Sequence, residues 1–556
     1  MTLVPESASS GSTESAPPNP LRDELVLKLA VSTPGLQMLS GAELMAAGVP
    51  TGTLMTDLAL TLDGASVLWQ AIELPGGETG VLDAGDRLRF VASDAGDLWS
   101  TATTYWLTIK HGAEQAPQGP FNSAEMPFDG ADGAQVAHQP SVQPRAHIDL
   151  TRRLNSEAIY IAPAGFHDAL APLIALRNAQ GISTALVDVQ AIFDTWSYGQ
   201  VSPQAIRSFL RYARQNWFVA PRAVILVGDG TFDPQNAARN RGASVIPPYV
   251  ADVDLWLNNT ACDWCYAQLD GADPRSDSRI ELMYGRLPAR TEIDVAAIVG
   301  KIVSYETAQP EAWRYSSAFI ADNFRQLDGS VDGAGNFAYL LDEAQQLQPR
   351  GWASTRMYYD PTAGADSSEP WRVANADTAR ARTRAAFAAG AGFITYAGHG
   401  LTDQWADTAP SANGATWLLK STDIASLGNR ERLPIVLEMA CSTGSFHDAN
   451  ATAGSIDEQL LLSRNGGAVA VIGFAGLSVS YVHEHLMRGI FNRLSAGNGQ
   501  DVLLGELVVA GQDELVNRAG EYYKVGRSLV LLGDPMMHVR TPALSHSVFA
   551  PVVSAQ

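Results

Sequence analysis

From residue 157 to about 540 the chain repeats one alternation, and nothing else in it restricts the fold as much: a short apolar run, then a stretch of helical periodicity. The apolar runs fall at 158–161, 185–189, 223–227, 318–321, 393–397, 435–439 and 468–472. Helices are expected between them, at 204–214 with Ser202 as N-cap and Pro203 in the first turn, and at 377–388 in an Ala-rich run. Runs too short for helices and apolar on both faces belong in a mostly parallel sheet covered by helices on both sides. The fold class is therefore α/β, and such sheets bind ligands beyond the carboxyl ends of their strands.

The segment before this alternation reads differently. Leu25, Leu27, Leu29 and Val31 alternate with Val26, Lys28 and Ala30, and Asp63-Gly64 separates two further strand-like runs in the manner of a hairpin turn. The expected organisation is a leader at 1–23, a β-rich domain at 24–112, a Pro- and Gly-rich linker at 113–150, the α/β domain at 151–541 and a tail at 542–556. Two α/β subdomains, 151–305 and 306–541, are an alternative division. A net charge of −21 opposes binding to nucleic acid or to an anionic membrane surface. No run approaches the roughly 18 apolar residues of a membrane span. The first 20 residues show neither the basic start nor the apolar run of a secretory signal, which leaves cytoplasmic residence and signal-independent export both open. Nothing in the sequence addresses oligomeric state.

Two of the strands end in chemistry. The run 393–397 leads directly into Gly398-His399-Gly400, and the run 435–439 into Ala440-Cys441-Ser442-Thr443-Gly444. Neighbouring parallel strands would bring an imidazole and a thiol together at one sheet edge. A free thiol has a pKa of about 8.5, so it needs an adjacent base to become a nucleophile at neutral pH. The imidazolium so formed can then protonate a leaving amine. Backbone N–H groups of Gly400 and Cys441 are the candidate oxyanion donors. A buried histidine and an inert apolar cysteine form the competing reading, and the shared strand-end position weighs against it.

The blocks 396–400 (Tyr-Ala-Gly-His-Gly), 440–446 (Ala-Cys-Ser-Thr-Gly-Ser-Phe) and 465–473 (Asn-Gly-Gly-Ala-Val-Ala-Val-Ile-Gly) resemble the catalytic blocks of the gingipain family of bacterial cysteine peptidases. Blocks at 225–233, 262–270, 285–290 and 532–535 follow in the family's order, and 82–90 with 105–108 resemble the β-domain that precedes the peptidase in many members. The resemblance implies a caspase-like fold and an endopeptidase acting on proteins or peptides, with Cys441 as nucleophile and His399 as base. It also implies an acidic residue at the base of the substrate pocket, which Asp263 would supply for cleavage after Arg or Lys. Asp252 or Asp254 would orient the histidine, and Trp405 would wall the pocket. No cofactor is required. Structural calcium is compatible with the family and with acidic clusters such as 270–277, against a reading of solvated loop charge.

Other chemistries find less support. Cys262 and Cys265 form a C-x-x-C pair, the pattern of a redox motif or of half a zinc site, but no second Cys/His pair completes the latter, and two buried or incidental thiols are expected. The stretch 482–485 (Val-His-Glu-His) lacks the H-E-x-x-H spacing of a metallohydrolase, and no G-x-S-x-G elbow occurs. The remaining alternatives keep the fold: a sortase-type transpeptidase, or a catalytically silent binding or assembly protein.

Overall fold

The computed structural model describes residues 17–19, 26–92, 96, 99–109, 137–145, 148–236, 244–323, 330, 336–363, 368–410, 412–497 and 500–540. Most of the expected leader and linker, and all of the tail, lie outside them. The chain divides into two units, Met1–Leu154 with Asp188–Ala220, and Asn155–Val187 with Pro221–Gln556.

The first unit is built on antiparallel sheets. Val26–Val31 lies between Thr103–Ile109 and Ser141–Pro144, and a three-stranded sheet joins Gly35–Ser40, Arg87–Ala92 and Trp69–Ile72. The period-2 alternation puts Leu27, Leu29 and Val31 into a core with Phe90, Tyr105 and Leu107. Ser141–Pro144 falls in the stretch read as linker; its single apolar residue, Val142, gave the sequence pattern nothing to detect. Helices Val189–Trp196 and Pro203–Asn216 also belong to this unit, and Ser202 Oγ accepts from the Ala205 N–H at 3.3 Å, the expected cap.

The second unit is organised by an eleven-stranded sheet. In chain order its strands are β1 (Ala158–Ala162), β2 (Thr184–Asp188), β3 (Ala223–Val227), β4 (Met283–Leu287), β5 (Ser316–Ala321), β6 (Ala353–Tyr359), β7 (Arg372–Val373), β8 (Phe393–Ala397), β9 (Ile435–Met439), β10 (Ala470–Phe474) and β11 (Leu529–Leu532). In space they run β2-β1-β3-β4-β11-β10-β9-β8-β5-β6-β7. Pairing is parallel from β1 through β3 and β4 to β11, and parallel from β10 through β9, β8 and β5 to β7. Between β11 and β10 it is antiparallel. The sheet is therefore two parallel halves pointing in opposite directions, and the carboxyl ends of β8 and β9 lie at the opposite edge from those of β3 and β4. Every residue of β3, β8 and β9 is buried, as strands this apolar require, Glu438 on β9 included.

Candidate active site

Parallel strands β8 and β9 pair in register, with Ala397 opposite Met439. His399 and Cys441 each follow two residues beyond that last pair, so the two leave one edge of the sheet side by side. A side chain on Gly400 would place its Cβ 2.5 Å from the Cys441 carbonyl oxygen, which only glycine avoids. Directly after the cysteine, Ser442 takes a positive φ of 57°, a sharp turn unusual for a residue with a side chain. The turn is fastened by the Ser442 N–H to the Gly476 carbonyl and the Gly444 N–H to the Phe474 carbonyl, both at 2.9 Å.

Cys441 is half-buried and is the free cysteine of the chain. Its Sγ lies 3.4 Å from both the carbonyl oxygen and the N–H nitrogen of Ser478. A thiol can donate to the first and a thiolate can accept from the second, so one residue serves both protonation states. The Ser478 hydroxyl is 3.9 Å from Sγ and 2.7 Å from His483 Nε2. Burial pushes His483 down to about 3. Holding a proton there at pH 7 would cost on the order of 5 kcal/mol, so His483 is a neutral partner of Ser478 and a poor base. His399 is half-buried, with its ring edge-on to Phe337 at 5.5 Å between centroids. Its backbone is fixed from three sides: its N–H donates to Asp322 Oδ2 at 3.3 Å, and its carbonyl accepts from Tyr396 Oη at 2.5 Å and from the Ala406 N–H at 2.8 Å.

Three sequence expectations change on the structure. Asp263 is 1% exposed, and both of its oxygens are taken by Arg286, at 2.6 Å from Nε and 2.8 Å from Nη2. Arg286 also donates to the carbonyls of Gly228 and Ile246 and lies over the Phe446 ring. An internal guanidinium thus fills the place expected for a substrate Arg or Lys. Trp405 is fully buried rather than walling a pocket: it stacks on Tyr396 at 4.5 Å and donates from Nε1 to Glu438 Oε2 at 2.8 Å. Cys262 and Cys265 are joined in a disulfide, not left as two thiols; a three-residue separation across a turn brings their Cα atoms to 5.3 Å, within bridging range.

Of the two acidic residues offered for the histidine, Asp252 is exposed on the hairpin Val250–Asp254/Asn258–Ala261. Asp254 is buried and accepts from the N–H groups of Trp256, Leu257 and Leu477, so it ties the hairpin tip to the segment leading into Ser478. The carboxylate bonded to the His399 backbone is Asp322, which sequence reasoning passed over. An acidic residue directly after β5, the strand beside β8, was the signal available.

Asp270, Asp277 and Glu281 bring carboxylate oxygens within 4.8 Å of one another. Burial first, and then the charges of Asp277 and Asp270, push Glu281 up to about 6 against a hydrogen bond from the Leu269 N–H. Three hard oxygen donors in mutual repulsion are the donor type that suits a calcium ion, whose charge would offset most of that repulsion. Among the described residues no helix is long and apolar enough to cross a membrane.

Residues 152–540 match the pattern of peptidase family C25. An uncharacterized protein of Archaeoglobus fulgidus is 21% identical over 318 residues, spanning 55% of this chain and 72% of its own length. Among solved structures, the Arg-specific cysteine proteinase gingipain R aligns over 70% of this chain and 79% of its own, at 17% identity and a TM-score of 0.53. The complex of Porphyromonas gingivalis RgpB pro- and mature domains aligns over 70% and 80%, at 18% identity and a TM-score of 0.52. At these identities the structural likeness is one of fold, the caspase-like α/β fold.

Proposed function

Since the chain belongs to peptidase family C25, the gingipain family of cysteine peptidases, we propose that it is an endopeptidase in which Cys441 attacks the peptide carbonyl and His399 moves the proton. The observation that carries this reading is the equal two-residue offset of the two side chains past a registered pair of parallel strands. His399 takes the thiol proton, and the thiolate is supported by the Ser478 N–H. Attack on the substrate carbonyl forms a tetrahedral intermediate whose oxyanion is received by the backbone N–H groups of Gly400 and Cys441. Collapse breaks the C–N bond, the imidazolium protonates the leaving amine, and water then hydrolyses the thioester. Asp263 already holds Arg286 and so is not open to a substrate Arg or Lys.

A peptide-library cleavage profile of the wild-type chain against Cys441→Ala and His399→Ala tests the proposal, with iodoacetamide labelling in parallel. The expected results are cleavage lost in both variants and a single adduct on Cys441. Cleavage persisting in Cys441→Ala, or no adduct on folded wild type, would reject it.

A further inference from the structure

Strand β9 reads Ile-Val-Leu-Glu-Met, and its one charged residue, Glu438, is fully buried. So is Asp457, in the first turn of helix α1 (Ile456–Leu462). The two carboxyl groups are within hydrogen-bonding distance of each other and lie beside Thr443, which borders Gly473 together with Asp457. Taken as two anions, they leave Glu438 Oε1, both Asp457 oxygens and Thr443 Oγ1 without partners. Adjacent like charges in a dry site repel by several kcal/mol, whereas one proton between two carboxyl groups makes a short, charge-assisted O–H···O⁻ bond.

The pair touches both arms of the candidate dyad. Glu438 Oε2 receives the Trp405 Nε1–H, Trp405 stacks on Tyr396, and the Tyr396 hydroxyl donates to the His399 carbonyl. On the other side Thr443 is two residues past Cys441, and a Cβ on Gly473 would stand 2.2 Å from Asp457 Oδ2, so the strand beside the cysteine is shaped around this carboxyl.

We propose that Glu438 and Asp457 share a single proton and that this protonated pair is the positioning element that keeps the His399 and Cys441 arms aligned. The inference rests on the assignment of those two residues as the dyad. The groups facing the pair are few. Tyr396 on β8 is kept protonated by burial first and the Asp322 charge next; Glu458 on α1 accepts from the Ser455 N–H and lies 3.8 Å from Arg290; the nucleophile turn brings Thr443 and Cys441. Among the described residues, the groups acting directly on the pair are Trp405, Thr443 and the two carboxyls themselves, none a cation. Loss of the shared proton at rising pH would therefore leave two facing anions, pushing the Thr443 turn away from β9.

The test measures kcat and KM of the full chain on a library-selected peptide from about pH 5.5 to 9.5, with iodoacetamide labelling alongside, for wild type, Glu438→Gln and Glu438→Ala. The glutamine amide keeps an N–H toward Asp457 and an oxygen for Trp405 but has no proton to lose. Expected is a neutral-pH kcat within about threefold of wild type in Glu438→Gln, with its alkaline limb moved up by about one pH unit or more. Glu438→Ala should lose about tenfold or more in kcat with KM little changed. Asp457→Asn offers the reciprocal N–H and carries the same test if Glu438→Gln does not fold. An alkaline limb unmoved in both amide variants, or wild-type kcat in Glu438→Ala, would overturn the positioning role alone. A wild-type chain that neither labels at Cys441 nor cleaves would overturn the dyad and this proposal together.

Discussion

Asp263 with Arg286, and Glu438 with Asp457, are two buried acid sites in the same unit that solve one problem differently. The first neutralises a carboxylate with a guanidinium and satisfies both of its oxygens, closing the site to any outside cation. The second sets acid against acid and can be satisfied only by retaining a proton. Desolvation acts on all four groups; the charge of the neighbour decides the outcome. The carboxyl pair can gain and lose a proton, and it is this pair that lies against the turn carrying the thiol.

The largest expected effect is catalytic. Cys441→Ala should lower peptidase kcat by about 10⁴-fold or more while thermal unfolding changes little, the contrast that separates reactive residues from supporting ones. Next, Asp263→Ala should cost about 3 to 5 kcal/mol of unfolding free energy by leaving Arg286 buried and unpaired, whereas Asp263→Leu with Arg286→Met should recover most of it in urea titrations. An equal loss in the double variant would break the comparison.

The carboxyl pair should make stability fall with rising pH. Burial holds Glu438 above its ordinary 4.5, and burial followed by the Glu438 charge holds Asp457 well above its own, so the pair's contribution to stability is complete below about pH 4 and is lost as pH rises through the raised values. Wild type should thus lose unfolding free energy as pH rises, and Glu438→Gln should flatten that slope. Ser478→Ala keeps the backbone N–H to the thiolate and removes only the hydroxyl bridge to His483, so a fall in kcat of about two- to fivefold is expected. The smallest effect concerns the acidic cluster: millimolar calcium should raise Tm by about 1 to 3 °C, and Asp277→Asn should abolish the increment.

The strands most legible in the sequence were those buried on both faces. Residues 223–227, 393–397 and 435–439 coincide with β3, β8 and β9 because a run so largely apolar has no other use at that length. The strand-end positions of His399 and Cys441 were readable for the same reason. The reversal between β10 and β11 was not, since strand direction depends on how the chain returns through residues 475–528 and no local pattern encodes it. Asp263 was assigned from its block alone; its partner is 23 residues away and meets it only in the fold. Ser478, Asp322 and Asp457 likewise acquire meaning from what is packed beside them. Glu438 had left a local mark, a charge inside a strand otherwise apolar.

The matched step from β8 and β9 to the two side chains of the proposed dyad divides the surrounding chain by its tolerance of length change. One residue inserted between Ala397 and His399, or between Met439 and Cys441, would advance one partner by about 3.3 Å along its arm and leave the other behind. An insertion beside the exposed Arg430 and Glu431, between the arms but outside both steps, alters neither. Chain length is thus constrained at two dipeptides, while that exposed turn is open to elaboration without disturbing the pairing of thiol and imidazole.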